Sequence, residues 1–570
     1  MQLTKTSETA AVQIRNPRFA CWLPVVGAAV LGALNTLSFA PTPGGGWLEL
    51  LVMLGVVVLL HGARSTANAA LRLGAFGFGN YVSGVWWLYV SMHDYGGIAA
   101  PLSGAAVVLL TLYLALYPAL AGAVWHRVSG GIGWRASFAF AAAWTLGEWL
   151  RGLVFTGFPW LASGYPQVDG PLAGLASMVG VYGVGFAVAL VGALLAQTLL
   201  GWRTLPEPAP RKASSTPSLQ ASDAGVPADA AADDDATSNA TPGAPAKRVR
   251  SRPSRARLAP LILALLVLIA GMASSMIHWT HPSGHPLRVR LLQGNIAQDM
   301  KHEDAGIDTA LALYQALITG LPADLIVTPE TAIPLLIQQV PAPFTKTLRD
   351  FADQTNSAIL FGAVGDVMTP TGPTHFTNSL YGLTPHQPVV YEYDKHHLVP
   401  FGEFVPLGFH WFIRMMHVPL GDFDRGRAAQ PAFDVQGTRI APNICYEDIF
   451  GEEIADSLRH QSPRAGILVN SSNLGWFGNT IALDQHLQMS RMRAIETGRP
   501  MLRSTNTGVS AMIDASGAVA GRLEPFTVGS LMGIVQGMDG TTPYILFGNW
   551  PVVTASLALL LVFARRARRA

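Results

Sequence analysis

Three side chains in this chain could together make a nucleophile: a thiol, a carboxylate and an ammonium. Cys445 sits in Asn443-Ile-Cys-Tyr-Glu447, between a short β-type run (436–444) and a stretch with helical spacing and acids in its first turn (448–458). Backbone N–H groups at such a strand-to-helix turn are unpaired, and the local dipole favours a thiolate and an adjacent oxyanion. Glu330 follows the run Leu325-Ile-Val-Thr328, and Lys395 lies in Tyr393-Asp-Lys-His-His397. The three are far enough apart in sequence to come from different strands of one sheet. A carboxylate there would take the thiol proton, and an ammonium would steady first the thiolate and then a tetrahedral oxyanion. Taken singly, each has a plainer reading: a lone cysteine is more often a small buried hydrophobe, and a Glu or Lys beside a turn is usually surface structure.

Composition says where such a site would work. Half of the residues are hydrophobic and only 13% are charged, with a mean hydropathy of +0.32. Soluble chains carry about a quarter charged residues, so this one has surface for lipid. The net charge of +2 argues against a nucleic-acid partner. Two cysteines, Cys21 and Cys445, build neither a disulfide scaffold nor a thiolate metal site. No His/Cys/Asp cluster has ligand spacing, so no metal and no cofactor are expected.

Eight apolar segments qualify as candidate spans: 19–40, 47–61, 73–91, 102–124, 136–150, 172–200, 258–277 and 544–563. Basic residues flank them on one side: Arg15, Arg18, Arg64, Arg72, Arg127, Arg135, the basic ends of the loop after the sixth span, and the tail from Arg565. By the positive-inside rule both termini are cytoplasmic and the region between spans seven and eight is outside. The organisation expected is a cytoplasmic N-terminus (1–18), a six-span region (19–203), a disordered Pro/Ala/Ser/Asp/Thr-rich linker (204–256), a seventh span (257–278), an outer α/β domain (279–543), an eighth span (544–564) and a basic tail (565–570). The basic run Lys247-Arg248-Val249-Arg250 reads as a juxtamembrane topology signal rather than a nucleic-acid site. Glu148 and Arg151, three apart near a span end, read as a structural ion pair. In 279–543, short β-type runs (287–293, 325–328, 358–364, 379–383, 467–470 and 509–513) alternate with amphipathic helical runs.

The motifs in this region resemble those of the nitrilase (carbon–nitrogen hydrolase) superfamily, and in a membrane context the apolipoprotein N-acyltransferase family. They are Gln293-Gly-Asn-Ile296, Pro329-Glu-Thr-Ala-Ile-Pro334, His397-Leu-Val-Pro-Phe-Gly-Glu-Phe-Val-Pro406, Ile444-Cys-Tyr-Glu447, Trp476-Phe-Gly478, Gln485-His486, Arg491-Met-Arg-Ala494 and Arg503-Ser-Thr-Asn-Thr-Gly508. Glu148-Trp-Leu-Arg-Gly152 and Gly157-Phe-Pro-Trp160 extend the likeness into the span region. Two positions depart from the family's usual pattern: Lys301-His302 for Lys-Trp, and Asn473-Leu474 for Asn-Asp.

The resemblance implies an α-helical membrane domain carrying an α/β nitrilase-like αββα sandwich, with Glu330, Lys395 and Cys445 as a catalytic triad. It implies an enzyme of the bacterial inner membrane, with the catalytic domain periplasmic. That enzyme would move an acyl chain from a membrane phospholipid, through a Cys445 thioester, to the N-terminal amine of a diacylglyceryl-cysteine on a lipoprotein precursor. Two half-reactions through one covalent intermediate imply ping-pong kinetics. Glu403 would orient Lys395 or Glu330, and Tyr446, Glu447 and Trp476 would support the site or bind substrate. The aromatic stretch 404–412, with Met415 and Met416, suits a lid dipping into the interface. Two other classes use some of the same features. A membrane-anchored amidohydrolase could use the same triad but needs only one anchor. A transporter is disfavoured because the spans hold few charges.

Overall fold

The computed structural model of the chain describes residues 17–129, 131, 133–203, 255–298, 304–369, 372–406, 408 and 423–567. Most of the N-terminal segment and of the 204–256 linker, Lys301-His302, most of the aromatic stretch and the last three residues of the tail lie outside them. The N-terminal half is helical: α1 (Pro17–Asn35), α2 (Gly45–His61), α3 (Thr66–Gly84), α4 (Trp87–Val90), α5 (Ala100–Val128), α6 (Trp134–Arg151), α7 (Ala176–Arg203) and α8 (Arg255–Ser274). A helix stands at each of these predicted span positions, but the expected count of eight spans is not reached. Three helices, Ala100–Val128, Ala173–Gly201 and Trp550–Ala567, are long and apolar enough to cross a membrane among the described residues. Trp22–Ser38, Gly45–His61 and Leu258–Ser274 are apolar but shorter. In α3 and α6, buried polar residues such as Arg72, Asn80, Glu148 and Arg151 replace part of the apolar length.

The helices also carry apolar side chains on their outer surface. On α5, Leu102, Leu109, Leu112, Leu116 and Leu120 are exposed while Val107, Leu114, Ala115 and Ala121 are buried. An outward leucine stripe at helical spacing is what a lipid-facing helix presents.

The α/β domain runs β1 (Thr280–Pro282), β2 (Leu287–Gln293), α9 (Asp304–Thr319), β3 (Leu325–Val327), β4 (Ile333–Leu336), α10 (Ala342–Thr355), β5 (Ala358–Thr369), β6 (Gly372–Leu383), β7 (Tyr391–Asp394), β8 (Phe433–Val435), β9 (Thr438–Ile444), α11 (Gly451–His460), β10 (Ile467–Ser472), α12 (Ala482–Thr497), β11 (Met501–Thr505), β12 (Ala511–Ile513), β13 (Val519–Arg522), β14 (Gly529–Val535) and β15 (Met538–Gly540). It is followed by α13 (Pro543–Phe547) and α14 (Trp550–Ala567). One sheet has the order β14-β2-β3-β5-β6-β7 with β4 on β5, and the other β13-β12-β11-β10-β9-β8.

Period-2 alternation builds the layers. Leu287, Val289, Leu291, Leu325 and Val327 face the second sheet, where Ile440, Ile444, Leu468 and Leu502 share their core. Leu292, Ile326 and Ile359 point the other way, onto Leu311 and Tyr314 of α9 and Phe344 and Leu348 of α10. Ile449, Phe450, Met489 and Met492 pack instead into the core of the helical region. The result is an αββα sandwich docked on apolar helices.

Topology gathers the three candidate residues. β2, β3 and β5 are mutually parallel, as are β9, β10 and β11. β6 is antiparallel to both β5 and β7, so β7 runs the same way as β5. The two sheets meet at one edge, where the Ser471 hydroxyl donates to the Thr328 carbonyl at 2.9 Å. Glu330, Lys395, Cys445 and Asn473 all follow the carboxyl ends of strands at that edge, where open sheets place their chemistry.

Candidate active site

The charges form a compact buried cluster. Lys395 Nζ lies 3.3 Å from Glu330 Oε1 and 2.8 Å from Glu403 Oε1. Its side chain is only 1% exposed. Asn378, on β6, donates from one amide nitrogen to Glu330 Oε1 and to Glu403 Oε1, both at 2.7 Å. Glu330 Oε2 accepts the backbone N–H of Asn473 at 2.8 Å, and Glu403 Oε2 accepts that of Val399 at 2.8 Å. Glu403 therefore orients Lys395 directly and reaches Glu330 through Asn378. Burial alone would lower the Lys395 ammonium, but Glu330 and Glu403 hold it above the usual lysine range, so it stays charged.

Cys445 opens a single 3-10 turn, Cys445–Ile449, and adopts φ +50°. That left-handed conformation costs a non-glycine residue about 1–2 kcal/mol, so neighbouring contacts must hold it. It is buried within electrostatic reach of Glu330, Lys395 and Glu403, and the Asn473 backbone N–H hydrogen-bonds it. The expectation of a dipole-favoured thiolate is corrected here. Burial pushes the thiol up, the Glu330 carboxylate pushes it further, and Lys395 offsets them only in part. The helix that would supply a dipole, α11, begins only at Gly451. At rest the site holds a thiol beside a ready carboxylate.

A raised thiol pKa means that thiolate forms only at higher pH. We expect Cys445 alkylation by iodoacetamide to keep rising above the ~8.5 midpoint of an ordinary thiol. A plateau below neutral pH would show a standing thiolate and refute this account.

The backbone at Glu330 depends on a glycine. A Cβ on Gly362 would meet the Pro329 carbonyl oxygen at 2.5 Å and the Thr331 nitrogen at 2.6 Å, both backbone atoms. Gly362→Ala must therefore push the Glu330 turn away from Lys395. A misplacement of about 1 Å costs on the order of 10²-fold in rate. We expect such a loss in single-turnover acylation with the fold retained by circular dichroism; wild-type turnover would show that the turn does not need this approach.

Glu447 does not line a pocket. Its carboxylate accepts from the Ile444 N–H (2.6 Å), the Tyr393 hydroxyl (3.0 Å) and the N–H groups of His396 (2.7 Å) and His397 (3.2 Å). It ties the nucleophile turn to the segment that carries Lys395. Tyr446 points to the helical region, its hydroxyl donating to the Gly157 carbonyl at 3.1 Å. Trp476 is 40% exposed. Its carbonyl accepts from Ser91 at 2.7 Å and its ring lies against Tyr95. Both residues thus belong to the seam between the two domains.

Glu148 and Arg151 are buried there as well, but they form no direct salt bridge among the described residues. Glu148 accepts from the backbone N–H and hydroxyl of Ser163, at 2.8 and 2.9 Å. Arg151 donates to the carbonyls of Phe158 and Trp160. Each satisfies the backbone of the 157–163 loop, which packs beneath the α/β domain. Sequence reasoning missed Asn378 and Asn473, which position both carboxylates; no local pattern marks an asparagine whose partners are distant in sequence.

Comparison with known proteins agrees with this geometry. The N-terminal domain model of apolipoprotein N-acyltransferases matches residues 31–194, and the carbon–nitrogen hydrolase model matches residues 288–538. The apolipoprotein N-acyltransferase of Ralstonia nicotianae is 46% identical over 99% of this chain and 96% of its own length. That of Bordetella bronchiseptica is 39% identical over 96% of this chain and 98% of its own. A solved CN-hydrolase superfamily protein of Xanthomonas campestris aligns with 48% of this chain and 97% of its own, at a TM-score of 0.34 and 20% identity. With relatives of this identity matched end to end, the chain belongs to the apolipoprotein N-acyltransferase family, whose work is lipoprotein N-acylation.

Proposed function

We propose that Glu330, Lys395 and Cys445 transfer an acyl chain from a membrane phospholipid to the α-amine of a diacylglyceryl-cysteine by a ping-pong route. The observation that carries this reading is the convergence of thiol, carboxylate and ammonium at one sheet edge, in a domain docked on apolar helices. As Sγ attacks the ester carbonyl, its proton passes to Glu330. The negative charge that develops on the carbonyl oxygen falls to Lys395 and to the backbone N–H near Tyr446. Collapse breaks the ester C–O bond, and Glu330 returns the proton to the departing lysophospholipid. The lipoprotein amine then attacks the thioester, giving its proton to Glu330. Collapse forms the amide, and the leaving sulfur takes that proton back.

Topology follows from the same reading. The α/β domain sits on the outer, periplasmic face of a bacterial inner membrane, with both termini cytoplasmic. The leucine stripe of α5 faces lipid, and the seam at Tyr446, Trp160 and Trp476 lies near the bilayer surface, where both lipid substrates keep their reacting groups.

Incubating the purified protein with phospholipid alone and measuring intact mass tests the reading. A gain of one acyl chain, removed by hydroxylamine and discharged onto a diacylglyceryl peptide, is the expected result. Rapid loss of the adduct to water, with free fatty acid released and no transfer to the peptide, would favour an amidohydrolase instead.

A further inference from the structure

Something must hold Cys445 in its left-handed conformation, and one arm of the answer leaves the triad altogether. Asn470, on β10, donates from its amide to the Cys445 carbonyl at 3.1 Å and to Asn443 Oδ1 at 2.6 Å. Its own Oδ1 accepts from Arg503, on β11, at 3.0 Å. The same guanidinium donates to Asp448 Oδ2 at 3.0 Å and to Ser490 Oγ at 2.7 Å, and it also donates to His486 Nδ1. With Nδ1 accepting, the His486 proton sits on Nε2, 2.7 Å from Asp448 Oδ1. Asp448 lies in the same 3-10 turn as Cys445. The planar fork of Arg503 therefore grips the turn from both ends, through Asn470 at the nucleophile and through Asp448 three residues later.

The members of this network are 0–1% exposed. A buried ion pair contributes little net stability against an apolar replacement, because desolvating two charges consumes most of their attraction. What a closed, fully bonded network does supply is a single geometry. The network also has an outlet to the helical region. The Trp160 ring stacks on His486 at 5.6 Å between centroids with 12° between planes, and its indole N–H donates to Gln485 Oε1 at 2.7 Å.

We propose that Arg503 is a positioning residue for the Cys445 turn, and that Trp160 fixes it through His486, so that docking of the two domains sets the nucleophile. The proposal rests on the acyl-transfer reading only for what the nucleophile attacks.

Full-length Arg503→Lys, Trp160→Ala and Trp160→Phe in detergent test it by two readouts. The first is the pH profile of Cys445 alkylation, followed by peptide mass so that Cys21 is counted separately. The second is kcat against KM for thioester formation from phospholipid. Arg503→Lys keeps the charge and loses the fork. It should lower kcat by about tenfold or more with KM within about twofold, and move the alkylation midpoint down toward the ~8.5 of a free thiol as the turn loosens. Trp160→Ala should move both readouts the same way by less, and Trp160→Phe, which keeps the stacked ring, should restore most of the loss. Wild-type profiles and kcat in folded Arg503→Lys and Trp160→Ala would overturn the proposal. So would an activity loss that only tracks the folded fraction with the alkylation profile unmoved. If Arg503→Lys does not fold, the Trp160 pair decides alone. A shifted profile with no thioester even in the wild type would sink the acyl donor and leave the positioning role standing.

Discussion

Cys445→Ala carries no acyl adduct after incubation with phospholipid and transfers nothing to a diacylglyceryl peptide. The expected loss is at least about 10⁴-fold, the scale seen when a covalent nucleophile is removed from a site that acts as a unit. The size of the effect follows from the chemistry. Without Sγ, the amine must attack the ester directly, so the single covalent intermediate that splits the reaction disappears. The fold should survive, because the substitution removes one sulfur from a small buried side chain and leaves the Asn470 and Glu447 contacts with the turn in place. Intact mass and a thermal unfolding curve measured on the same sample separate the two effects. Residual transfer within tenfold of the wild type, in a folded variant, would show that the acyl chain does not pass through Cys445.

Lys395→Met has the second-largest expected effect, and it reaches both catalysis and stability. The ammonium is the cation between Glu330 and Glu403, which share one Asn378 amide. Removing it leaves two buried carboxylates facing each other, and like charges that close do not both ionise. The pair takes up a proton, Glu330 ceases to act as a base at neutral pH, and the developing oxyanion loses its charged donor. Thioester formation should fall by about 10³-fold or more.

Breaking a buried pair from one side costs about 3–5 kcal/mol. The sign of its pH dependence follows from linkage. A carboxyl raised in the folded state contributes stability below its unfolded pKa of about 4.3 and loses it as pH rises through the raised folded value. The unfolding temperature of Lys395→Met, relative to wild type, should therefore drop further at pH 8 than at pH 5. Equal drops at both pH values would mean that the carboxylates find another counter-charge.

The domain plan and the triad were legible in the sequence because their signals are local. Alternation in Leu287–Gln293, the short apolar run at Leu325 and the Cys445 turn each declare themselves within a few residues, and the strand 287–293 matches the observed β2. The strand that carries Lys395, Tyr391–Asp394, was not anticipated. Its polar residues mask the alternation, and its pairing with β6 supplies what its propensity does not. The span count was overread for a related reason: hydropathy marks apolar helices, but length and the buried polar residues of α3 and α6 decide which qualify.

The sequence by itself determined the reaction class, since residue types and motif order carry the chemistry of a thiol, a base and an oxyanion holder. Only the tertiary structure decided the protonation of the thiol, the duty of Glu447 as a clamp, the turn of Tyr446 and Trp476 toward the helical region, and the Asn378, Asn473 and Arg503 contacts. The physical reason is distance along the chain. Each of these depends on burial or on a hydrogen bond between residues brought together by sheet topology, and neither leaves a trace in local composition.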